Sequence, residues 1–220
     1  MFTILCIETA STNCSVAIGV NGKLLALKED YDSNYSHAER LHIFIQEILA
    51  ENNLELSDLD AIAVSKGPGS YTGLRIGVSA AKGLCFSLDI PLISVPTLTS
   101  LAMQVKGSEE GLAIPMMDAR RMEVYTAIFD KDGNQIEETS AKILDATSYK
   151  NYLDEHIVYF IGSGVEKLQK ICEHPNARYI VNILPSAAQM ITLATTKHKK
   201  SDFEDVAYFE PYYLKDFMVG

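Results

Sequence analysis

The sequence predicts an α/β protein of two domains, on three observations. Apolar runs of strand length alternate with longer segments of helical spacing. These elements fall in one definite order up to about residue 104. A shorter version of the same plan follows a polar break at 106–110, KGSEE. The chain has 220 residues, 47% hydrophobic and 22% charged, which is globular composition and length enough for two cores.

Residues 2–7 form a short apolar run, read as a first buried strand rather than a signal peptide, since no positive segment precedes it and Glu8 ends it. Residues 14–20, CSVAIGV, make a second strand. Asn21-Gly22 is a two-residue hairpin signal, and 23–28, KLLALK, is the returning strand. Ser36 with Glu39 forms a capping box for a helix over 36–50, whose Leu41, Phe44, Ile45 and Ile48 share a face. The continuous apolar run 60–65 suits a parallel strand. A glycine-rich turn then opens a second helix ending near Leu88, followed by a strand at 91–95 and a helix from Thr97. Three strands, a helix, a strand, a helix, a strand and a helix is the ribonuclease-H-like order. The expected fold is therefore the actin-like, two-domain ASKHA fold, with mixed sheets and helices on both faces. The first domain is expected over 1–104. A smaller, degenerate copy is expected over 105–220, with a C-terminal tail that packs back on the first.

The turn Gly67-Pro68-Gly69 precedes a helix N-terminus, as phosphate loops do, but no Gly-Lys-Ser/Thr follows, so it reads as a structural turn with Ser70 or Thr72 as cap. On the helix after it, Gly73, Gly77 and Ala81 recur every fourth residue as a smooth stripe. Leu74 and Val78 stand beside them, and the helix is apolar almost all round. One sheet covers only one side of such a helix, so a second surface is expected to bury the other, preferably another chain.

Catalytic groups are sparse. His37 and His42 stand five residues apart, about 140° around a helix, so they do not share the face a metal needs. Glu8 and Asp118 lie at strand ends where a phosphotransferase of this superfamily would use carboxylates, and Gly162-Ser163-Gly164 is the one nucleotide-side candidate. Arg120 and Arg121 crown a hairpin. No Ser-His-Asp or Cys-His arrangement emerges. No metal and no cofactor are expected.

The formal charge is −10, from 19 basic and 29 acidic residues, which argues against unaided nucleic-acid binding. The basic run Lys197, His198, Lys199 and Lys200 sits where a helix C-terminus favours cations. No apolar run is long enough to span a bilayer, and Cys6, Cys14, Cys85 and Cys172 form no CxxC pair. Both observations lead to the expectation of a cytoplasmic protein with no membrane contact.

IETASTNCSVAI, SHAERL, SKGPGSYTGLRIGVSAAKGL and DIPLISVPTLTSLA together resemble the TsaB family, with MDARRMEVYTAIF and the late EPYYLK as further matches. The resemblance implies a non-catalytic subunit that serves threonylcarbamoylation of the adenosine beside the anticodon, in tRNAs reading codons that begin with A. It implies pairing with a catalytic paralogue, TsaD, through the helices of the first domain. An ATPase, TsaE, joins them, a homodimer forms on the same surface when the subunit is alone, and tRNA is met only through the complex. The paralogue's two metal-binding histidines align with Thr97 and Leu101, neither suited to hold a metal. The interface expected on this basis comprises His37, Leu41, Tyr71, Gly73, Leu74, Gly77, Val78 and Ala81. A metallopeptidase-like or phosphotransferase enzyme of the same superfamily is the alternative.

Overall fold

The computed structural model describes residues 2–31, 37–105 and 110–215. The Ser36 cap and most of the polar break at 106–110 lie outside them. The chain divides into two compact units, one of residues 1–97 with 185–220 and one of residues 98–184.

The first unit is built on a five-stranded sheet. Strands β1 (Thr3–Glu8), β2 (Cys14–Val20) and β3 (Lys23–Asp30) form an antiparallel meander, and β4 (Ala61–Ser65) and β5 (Leu92–Val95) extend it in parallel on the other side of β1. The order is β3-β2-β1-β4-β5. Every residue of β1 is buried because the alternation of its side chains feeds two cores. Leu5 and Ile7 pack with Leu41, Phe44, Ile45 and Ile48 of α1 (His37–Glu51) and with Val78 and Ala81 of α2 (Tyr71–Leu88). Ile4 and Cys6 point the other way, to Ala187, Met190, Ile191 and Ala194 of helix α6 (Ala187–Lys199).

Helix α6 thus belongs to the first unit, which corrects the boundary drawn at 104/105. Its N-terminus is held by polar side chains of the first sheet and of the loop that enters β2. Ala187 N donates to Ser15 Oγ at 2.9 Å, and Asn13 Nδ2 donates to the Pro185 carbonyl at 2.9 Å. The Glu29 carboxylate accepts from both Asn13 and Ser15, at 3.0 and 2.8 Å. At its other end Lys197 reaches the Ser94 carbonyl at 3.0 Å and Asp202 at 3.3 Å, so part of the basic run is spent on holding the helix.

The second unit repeats the topology. Strands β6 (Leu112–Asp118), β7 (Glu123–Phe129) and β8 (Gln135–Ile143) form the meander, β9 (Val158–Gly162) and β10 (Ala177–Val181) the parallel pair, in the order β10-β9-β6-β7-β8. Helices α4 (Lys150–Glu155) and α5 (Val165–Gln169) cover one face through Leu153, Val165 and Leu168. The short helix α3 (Thr97–Ala102) begins at the last residue of the first unit's N-terminal segment. All four cysteines are buried free thiols. No helix among the described residues is long and apolar enough to cross a membrane.

Candidate partner interface

The glycine turn positions α2. Gly67 has φ +106°, the Gly67-Pro68 peptide is cis, and the Gly67 amide donates to Thr97 Oγ1 at 3.1 Å. A side chain at Gly69 would collide with the Ala10 carbonyl. Ser70 then caps the helix, its Oγ accepting from Gly73 N at 3.2 Å. All these contacts are made within the chain, so the turn is used to bring α2 down onto the loop after β1.

The stripe of small residues has the same purpose, which corrects the expected interface. His37, Leu41, Gly73, Leu74, Gly77, Val78 and Ala81 are all buried inside the first unit; only Tyr71 of the expected set is partly exposed. A Cβ on Gly73 would run into the Thr9 carbonyl, and one on Gly77 into Thr9 Oγ1. Thr9 Oγ1 donates to the Gly73 carbonyl at 2.8 Å, a bond only such a close approach allows. His37 donates from Nε2 to the Ser11 carbonyl at 2.7 Å, and burial holds its pKa below the usual histidine value. His42 points outward on the same helix, as the spacing of the two rings requires.

The solvent-facing side of the same two helices is the opposite face. A groove of about 710 Å³ runs between them, lined by Ala38 and His42 of α1 and by Tyr71, Arg75, Ser79 and Gly83 of α2. Ile76 and Leu84, half-buried, add apolar surface. A Cβ on Gly83 would meet no heavy atom within 4 Å, so this glycine leaves open space where Gly73 and Gly77 do not. Phe86 continues the outer face and is 84% exposed. The residues expected at an interface thus lie on the covered side of α2, and the sequence carries a signal of this. Arg75 is the one charge in the first three turns of the helix, and it marks the side turned to solvent.

The carboxylates that suggested an enzyme are engaged in the fold. Glu8 is fully buried, with Oε1 accepting from Ala10 N at 2.6 Å. Burial pushes its carboxyl up to about 7, against hydrogen bonds from Ala10, Ser65 and Thr9 that pull it down. The native state therefore binds this proton more tightly than the unfolded chain. Stability contributed below the unfolded value of 4.5 is lost as pH rises toward 7. The shift corresponds to about 3 kcal/mol. Glu8→Gln is expected to flatten the pH dependence of the urea midpoint across that window; an unaltered profile would show that Glu8 ionises normally. Asp118 Oδ1 takes Lys167 Nζ at 2.8 Å, and the Asp118 amide donates to Ser163 Oγ at 3.1 Å. Gly164 is packed against Val124 and Met116, so this glycine pair shapes the unit's core. Arg120 and Arg121 both adopt positive φ, at 70° and 49°, on an exposed hairpin tip. No group of three or more His, Cys, Asp or Glu side chains placed to hold a metal occurs among the described residues.

Two sheets of one topology, each a meander joined to a parallel pair, define a protein of the actin-like class. The ethanolamine utilization protein EutJ from Carboxydothermus hydrogenoformans shares the fold, with a TM-score of 0.51 at 14% identity over 88% of this chain and 89% of that chain. Residues 32–219 match the family model described as TsaD, tRNA N6-adenosine threonylcarbamoyltransferase. The tRNA threonylcarbamoyladenosine biosynthesis protein TsaB of Escherichia coli is 31% identical over 97% of this chain and 94% of its own length. The structure of YeaZ from Pseudomonas aeruginosa superposes with a TM-score of 0.83 at 28% identity, covering 97% of this chain and 100% of that one. The chain belongs to the TsaB family.

Proposed function

We propose that this protein is a non-catalytic subunit of the machinery that places threonylcarbamoyl on the adenosine next to the anticodon, in tRNAs reading codons that begin with A. It acts by holding a TsaD-like catalytic paralogue, with a TsaE-like ATPase as the third member and tRNA met only through the assembly. Without that partner, two copies of this chain pair on the same face. The observation that supports this reading is the open groove between α1 and α2 in a chain that itself matches the TsaD model over residues 32–219. Two related chains carry the same helix pair, so the two pairs can pack against each other about a pseudo-two-fold axis as a four-helix bundle.

The positions aligned with the paralogue's histidines support a silent role. The Thr97 hydroxyl accepts from the Gly67 amide, and Leu101 is fully buried. Both side chains maintain the fold where the paralogue would hold a metal. Depleting the protein and measuring tRNA nucleosides by mass spectrometry tests the assignment. Threonylcarbamoyladenosine is expected to disappear and to return on re-expression; an unchanged nucleoside profile would remove the proposal.

A further inference from the structure

We infer that the C-terminal strap, residues 202–215, is part of the docking face, so that partner binding and seating of the strap are coupled. This rests on the groove as docking site and adds a second element to it. The strap is fastened along the first unit at successive points. The Glu204 amide donates to the Leu92 carbonyl at 2.8 Å, and its carboxylate accepts from the Ser94 hydroxyl. Lys82 of α2 donates to the carbonyls of Ala207 and Phe209, at 3.1 and 2.9 Å. The Tyr212 amide donates to the Lys66 carbonyl at 2.7 Å, beside Gly67, where a Cβ would come within 2.7 Å of the Tyr212 carbonyl.

The last fastening is shared with the groove. The Arg75 guanidinium lies 4.1 Å from the Tyr71 ring centroid, and its Nε donates to Tyr213 Oη at 3.2 Å. The Tyr71 and Tyr213 rings are 5.0 Å apart. Tyr71 and Arg75 also line the groove. A partner helix laid in the groove therefore meets two side chains whose positions the strap fixes. Covering them removes water from the arginine–tyrosine contact, which strengthens it. A seated strap pre-organises the groove wall, and an occupied groove holds the strap down. Each must favour the other by the same factor.

The test uses the full-length chain and the purified TsaD-family subunit from the same organism. Saturating the chain with that subunit is expected to slow amide hydrogen exchange at Tyr212 by about tenfold, and Tyr213→Ala is expected to weaken the complex by a similar factor. Tyr213→Phe, which keeps the ring and loses the Arg75 bond, should fall between. A complex that forms while Tyr212 exchanges at its free rate overturns the coupling and leaves the docking site standing. So does a Tyr213→Ala chain that is folded and binds as tightly as the wild type. If the wild-type chain forms no complex, the docking reading falls and the coupling with it.

Discussion

Gly83→Arg is expected to weaken association with the partner subunit by more than about 100-fold, equivalent to roughly 2.7 kcal/mol, while the free protein folds as well as before. The first half of this expectation comes from the groove. Gly83 lies on its α2 wall with Ser79 and Arg75, and an arginine there fills the space a partner helix would take. Its charge would be desolvated without a counter-ion, which costs several kcal/mol. The second half comes from the empty space around the residue. Beyond the helix's own neighbouring backbone, no heavy atom lies within 4 Å of where a Cβ at this position would stand, so the protomer has room for a side chain to leave the helix here. Within a helix interior, arginine is favoured over glycine by roughly 0.7–1 kcal/mol, so the melting temperature should hold or rise. Isothermal titration with the partner and a thermal melt of the free chain measure both halves. Wild-type affinity in the variant would place the interface elsewhere.

The same helix shows how far the sequence could be read. The three-strand meander, the parallel strands and the order of the helices were legible because their period-two and helical patterns are local properties. Strand β10, ARYIV, carries no such pattern, since its residues are only partly buried and it is bounded by Pro175 and His174. Strand β8, QIEETSAKI, is an edge strand with mostly exposed residues, so it offers no apolar alternation to read. The place of α6 was illegible for another reason. A helical stripe of Ala187, Met190, Ile191 and Ala194 tells that a sheet lies beneath it, not which one. That choice is made by Asn13, Ser15 and Glu29, more than 150 residues away in sequence. The buried side of α2 was not legible, because the smoothness of Gly73 and Gly77 has two possible causes, a partner's backbone or the chain's own. The loop at Thr9 decides between them, and no periodicity of α2 contains Thr9.

Gly77→Val supplies the opposite result on the same helix. It is expected to destabilise the protein by about 3 kcal/mol, read as a lower urea midpoint, with partner affinity lost only in proportion to the unfolded fraction. The added carbons must displace Thr9 Oγ1, which overpacks the contact between α2 and the loop after β1. Moving that hydroxyl also breaks its bond to the Gly73 carbonyl, inside a buried site. Against a typical stability of about 5–15 kcal/mol, both effects together are a large fraction. Thr9→Ala should rescue much of the loss, because the next atom, Thr9 Cβ, lies 3.4 Å from where a Cβ on residue 77 would stand. The double mutant is expected to be stabler than the sum of the singles by at least about 1 kcal/mol. Gly73→Ala should show no such rescue, because there the obstacle is the Thr9 backbone carbonyl, which no substitution at position 9 removes. A Gly77→Val protein that folds like the wild type but has lost its partner would mean that the stripe faces outward after all.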